Sequence, residues 1–118
     1  MKKNLILFSL VIIFTPSFSQ TTSKGLWFQK EEQIGRAFTS FREVIAKNQN
    51  NDTAWYYLGD LYFKLQRYDS AETCYKKAGS INPDNPLAHA AIGKIHLYKK
   101  NKEQALAYFE KAREMGKK

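Results

Sequence analysis

Four positions recur at one fixed interval and constrain this chain more than any other feature of it. Gly59, Ala71, Tyr75 and Ala78 return, equally displaced, as Gly93, Ala105, Phe109 and Ala112. Leu58, Leu61, Tyr62 and Leu65 stand at i, i+3, i+4 and i+7, an apolar helical stripe. Ala71, Tyr75, Ala78 and Ile81 make a second stripe. Gln66-Arg67-Tyr68-Asp69 between them is short and polar, which suits an antiparallel helix pair. Gly59 and Ala71 lack bulk, so the two backbones can approach, and Tyr62 and Tyr75 can fill the remaining volume. Asn82-Pro83-Asp84-Asn85-Pro86 ends the second helix, because proline has no amide donor and restricts the residue before it. Asn85 can then cap the next helix, with Pro86 at its first turn.

Written as Trp55-x2-Leu58-Gly59-x2-Tyr62, then Ala71-x3-Tyr75, Ala78 and Pro83, the unit has the order and spacing of the tetratricopeptide repeat. The chain thus resembles a small tetratricopeptide protein. The resemblance implies an all-α solenoid of antiparallel helix pairs, with full repeats over 52–85 and 86–118. The second repeat departs from the pattern: His89 replaces its Trp, Ile92 its Leu and His96 its Tyr, and Lys117 stands in the place of Pro83. Helices are expected near 34–47, 53–65, 68–80, 87–98 and 102–114.

Residues 20–51 read as a degenerate N-terminal repeat. Ala37, Phe41 and Val44 stand one repeat interval before Ala71, Tyr75 and Ala78, within an apolar stripe that also holds Ile34, Phe38 and Ile45. Two arrangements fit upstream: a short first helix near 24–33, around Leu26-Trp27-Phe28, or one helix from 24 to 47.

Residues 1–19 have the form of a signal peptide. Lys2 and Lys3 precede an apolar run from Leu5 to Phe14, and Ser17-Phe18-Ser19 offers small residues for cleavage after Ser19. The run is about half the ~20 apolar residues of a membrane span, so no stable span is expected; a retained anchor is the alternative. The mature protein is expected to be periplasmic or secreted.

Charge and side-chain chemistry narrow the function. Without 1–19, which holds two lysines and no acids, the net charge falls from +8 to +6. The lysines are spread along helices and resemble no nucleic-acid module, so no nucleic-acid partner is expected. Cys74 is the only cysteine, which leaves a packed helix residue or an intermolecular disulfide. His89 and His96 occupy packing positions and are expected as buried, satisfied imidazoles rather than metal ligands with Glu103. No nucleophile triad or phosphate loop is present, so neither an enzyme nor a cofactor is expected.

The family's first helices line a concave groove that takes a peptide. Here that face carries Thr53, Tyr56, Tyr57, Asp60, Phe63 and Lys64, then Leu87, Ala90, Ala91, Lys94, Leu97 and Tyr98. Tyr56, Asp60, Phe63, Lys64, Lys94 and Tyr98 are the candidate partner-binding residues. Tyr56 and Asp60 replace the Lys and Asn of the family's chaperone-tail clamp, so that specificity is not implied. The expectation is a protein-interaction module of the cell envelope binding another protein or peptide. The alternative is a structural protein that self-associates, as a homodimer, through Leu106, Tyr108 and Met115 on the last helix.

Overall fold

A computed structural model describes residues 30–117, which are helical apart from short turns. The chain divides after Arg36 into two units, 1–36 and 37–118; the described part of the first, 30–36, is helical. The expected signal peptide and the segment around Trp27 lie outside the described residues. Within the described residues helix α1 covers 30–47, which takes in the expected 34–47 and at least one turn before it. It is followed by α2 (Asp52–Lys64), α3 (Tyr68–Ile81), α4 (Pro86–Tyr98) and α5 (Lys102–Gly116). Among the described residues there is no strand, and no helix is long and apolar enough to cross a membrane.

Local chemistry sets these boundaries. Asn51 accepts from the Ala54 amide at 2.9 Å and Asn85 from the Leu87 amide at 3.0 Å, satisfying first-turn donors of α2 and α4. Asn101 does the same for α5. The turns within the two pairs repeat each other. Arg67 N donates to Tyr62 O and Gln66 N to Phe63 O; at the matching places of the next repeat Asn101 N donates to His96 O and Lys100 N to Leu97 O. This paired bonding closes a helix C-terminus and places one residue in the left-handed region. Gln66 and Lys100 hold that place, at φ 58° and 60°, where glycine is usual.

Packing follows the chain. Helix α2 packs on α3, α3 on α4 and α4 on α5, the neighbour-to-neighbour order of a solenoid. The core joins the two repeats through Ala71, Tyr75, Ile92 and Ile95, all at most 2% exposed. Removing Ile92 and Ile95 from water contributes roughly 1.5–3 kcal/mol each. A Cβ on Gly59 would stand 2.7 Å from the Tyr75 ring, and one on Gly93 would stand 2.9 Å from the Phe109 ring. The close approach read from the glycines is therefore backbone against ring. Lys99 ties α4 back to α3 by pairing with Asp69 and Glu72.

The stripe of α1 keeps its expected phase, with Ile34, Ala37, Phe38, Phe41 and Ile45 half-buried. Val44 is 38% exposed and none of the stripe is fully buried, and two other expectations, for Tyr108 and for the histidines, need correction. Phe38 meets Tyr62 and Phe41 stacks on Tyr57, so α1 is held by aromatic pairs rather than by a sealed stripe. Tyr108 is not part of an open edge: it is half-buried, and its ring lies parallel to His96 at 5.4 Å and to His89 at 6.3 Å. Both histidines are buried as expected, but neither Nδ1 has a hydrogen-bond partner, so the expected full satisfaction is not met. His96 Nε2 lies 3.5 Å from Glu72. Stacking on one tyrosine, rather than hydrogen bonding, fixes these imidazoles.

Candidate functional site

Helices α2 and α4, the first of each pair, form the two walls of a groove of about 320 Å3. From α2 come Tyr56, Asp60 and Phe63, spaced i, i+4 and i+7 on one helical face. Leu87, Ala90, Ala91 and Lys94 come from α4 with the same periodicity. The alanines keep the α4 wall shallow, so the volume stays open. Leu87 on the rim is 56% exposed.

Two further residues complete the groove, and both come from the second helices. Tyr75 of α3 and Phe109 of α5 reach it past Gly59 and Gly93, where no side chain stands in the way. In the sequence Tyr75 reads as filling volume between the helices, and Phe109 holds the matching place in the next repeat. The signal that finds them is the glycine opposite each ring: a missing side chain on the first helix lets the ring of the second show through.

The polar groups are fixed by their neighbours. The Tyr75 hydroxyl donates to Asp60 Oδ1 across the α2–α3 contact. Burial, the hydrogen bond to Asp60 and the charge of Asp60 push the Tyr75 hydroxyl well above the usual phenol range. Tyr56, its ring centre 5.4 Å from that of Tyr75, is raised by burial and by the charges of Asp60 and Tyr57. Both phenols are therefore neutral donors at physiological pH. The Lys94 ammonium lies 4.5 Å above the Phe63 ring centre, a cation–π contact that holds it against the opposite wall.

Of the six candidate residues, the groove brings together Tyr56, Asp60, Phe63 and Lys94. Lys64 and Tyr98 lie outside it. Lys64 is exposed at the last turn of α2. Tyr98, 55% exposed, packs edge-on against Phe63 at 5.2 Å and, tilted, against Tyr68 at 5.4 Å, and so buttresses the Phe63 wall from outside. Among the described residues no group of three or more His, Cys, Asp or Glu side chains is arranged to hold a metal ion. Cys74 is 4% exposed, and burial pushes its thiol up to about 11.

Comparison with known proteins agrees with this geometry. A tetratricopeptide repeat family model matches residues 28–95 and a second matches 87–115. Anaphase-promoting complex subunit 3 of Schizosaccharomyces pombe is 34% identical over 98 residues, covering 82% of this chain and 15% of that protein. Human superkiller complex protein 3 is 31% identical over 67 residues, covering 57% of this chain and 4% of that protein. A crystal structure of MamA superposes with a TM-score of 0.70 and 30% identity, covering 75% of this chain and 52% of MamA. The chain thus spans about half of MamA and a small part of the other two relatives. The repeat spacing, the stacked helix pairs and the family match agree, and the chain belongs to the tetratricopeptide repeat family of helical scaffolds for protein–protein interaction.

Proposed function

We propose that this protein is a non-catalytic adaptor of the cell envelope, exported with its signal peptide cleaved after Ser19, and that it binds an extended segment of a partner protein in the α2–α4 groove. The observation that carries the reading is the groove itself. It joins an aromatic α2 wall, a shallow alanine wall on α4, one acid and one base in about 320 Å3, the small end of ligand clefts. Rigid tyrosine rings offer large contact area at low entropic cost, the character of residues that dominate interface energies. Two relatives are named as members of multiprotein complexes, which supports an adaptor role. Self-association through α5 has less to offer: Leu106 is 63% exposed, but Tyr108 is engaged by the histidines.

The test begins with in-cell crosslinking and mass spectrometry of the exported protein, which identifies the partner. Its affinity is then measured against wild type and against Ala90→Trp, which fills the groove from a half-buried alanine. A loss of thirtyfold or more with unchanged helix content is expected. Wild-type affinity in a folded Ala90→Trp protein removes the groove as the site.

A further inference from the structure

The acid in the groove has no counter-charge. Among the described residues Glu72 meets Lys76 and Lys99, Asp69 meets Lys99, and Glu110 and Glu114 meet Arg113, whereas Asp52, outside the groove, accepts from the neutral Asn82 amide. Asp60 is half-buried in the groove wall and accepts only from the neutral Tyr75 hydroxyl. A carboxylate has about four acceptor sites, and one tyrosine occupies one of them. Withdrawing a carboxylate from water without a cation is unfavourable, and an arriving cation recovers that cost. The groove's own cation does not fill this role, because the Lys94 ammonium lies over Phe63 and forms no ion pair with Asp60.

The walls around Asp60 suit one class of cation. Tyr56, Phe63 and Phe109 line the groove above the buried Tyr75, and aromatic faces attract cations, guanidinium more often than ammonium. A guanidinium is planar, weakly hydrated and forked, so it can meet a carboxylate bidentately while its face lies on a ring. An ammonium can sit over a ring, as Lys94 does, but has no planar fork to meet both carboxylate oxygens at once. Lys94 on the facing wall disfavours a second cation there, which adds a repulsive element to the selection.

We infer that the partner segment carries a single arginine whose guanidinium seats on Asp60 against the groove's aromatic rings, with neutral or acidic residues facing Lys94. This rests on the groove reading above and names the chemistry that the groove selects.

The probe is a displayed library of random dodecapeptides, selected on the full 118-residue chain. Selected peptides are measured against wild type, Asp60→Asn and Ala90→Trp. Asn keeps an acceptor for Tyr75 while removing the charge, and circular dichroism checks the fold of each variant. The expected result is enrichment of one arginine per peptide, at least tenfold weaker binding to Asp60→Asn, and no further loss when that arginine is also changed to glutamine. Peptides that lose binding to Ala90→Trp but lack arginine, or that ignore Asp60→Asn, overturn the arginine assignment and leave the groove in place. Peptides that ignore Ala90→Trp, or a library that yields no binder, overturn both.

Discussion

Substituting Gly59 by alanine sets helix propensity against packing, and the structure says which wins. Gly59 is interior to α2, where alanine is favoured over glycine by about 1 kcal/mol. The new Cβ would stand 2.7 and 2.8 Å from two carbons of the Tyr75 ring. That ring cannot easily retreat: it is 2% exposed, its hydroxyl is held by Asp60, and Tyr56 lies against it. Overpacking of this kind costs about 1–3 kcal/mol, so the net effect is about 0–2 kcal/mol destabilising. Gly79 is the control. Its Cβ would meet Ala88 at 3.6 Å and His89 at 3.8 Å, which is ordinary contact, so Gly79→Ala should stabilise by about 0.5–1 kcal/mol. Urea unfolding followed by circular dichroism reads both, and the two midpoints should move in opposite directions. In a Tyr75→Leu background the penalty at position 59 should vanish, leaving the propensity gain. A Gly59→Ala protein as stable as Gly79→Ala, or an unchanged penalty without the Tyr75 ring, refutes the contact argument.

Three other predictions follow from single observations. Gln66→Gly and Lys100→Gly relieve a left-handed backbone, about 1–2 kcal/mol offset by about 0.5–1 kcal/mol of glycine entropy, so each should raise the urea midpoint or leave it unchanged; a clear fall counts against it. Burial and the nearby Lys111 charge hold His89 below its ordinary value of 6.5, so the unfolded chain takes the proton first, and the stability carried by neutral His89 is complete above about pH 6.5 and declines as pH falls below it. His89→Phe should flatten the fall in urea midpoint between pH 7.5 and 5, and an equal slope in the variant contradicts the assignment. The Cys74 thiol, raised to about 11 by burial, should resist iodoacetamide at pH 8 in the folded protein and react in urea, whereas rapid labelling of the folded protein contradicts its place in the core.

The fold was legible because the repeat writes the same packing rule twice. Gly59 with Tyr75 and Gly93 with Phe109 are the same contact in successive repeats, and the asparagines at 51, 85 and 101 mark the helix starts. The site was legible only in part, for reasons of helical phase. Steps of four drift by about 40° each, so Tyr56 and Asp60 share a face but Lys64 has turned about 80° away, and Phe63 takes its place. Tyr98 lies a turn beyond Lys94 along α4, where the wall has already ended against Tyr68. The burial of the histidines was legible, but the packing of Tyr108 and the unpartnered imidazole nitrogens were not, because a pattern of apolar positions does not report how rings stack or which nitrogen finds a partner. Ring contacts with α2 hold α1 without sealing its stripe, which leaves Val44 at 38%.

The central claim, that a partner lies in the α2–α4 groove, is tested most directly by two photo-crosslinking residues of matched exposure. Leu87 on the groove rim is 56% exposed and Leu106 on α5 is 63% exposed, so simple accessibility favours neither. Each is replaced in turn by a photoreactive amino acid, and adducts are collected from irradiated cells. A discrete adduct from position 87 and none from 106 is the result that groove binding predicts; an adduct from 106 with none from 87 contradicts it.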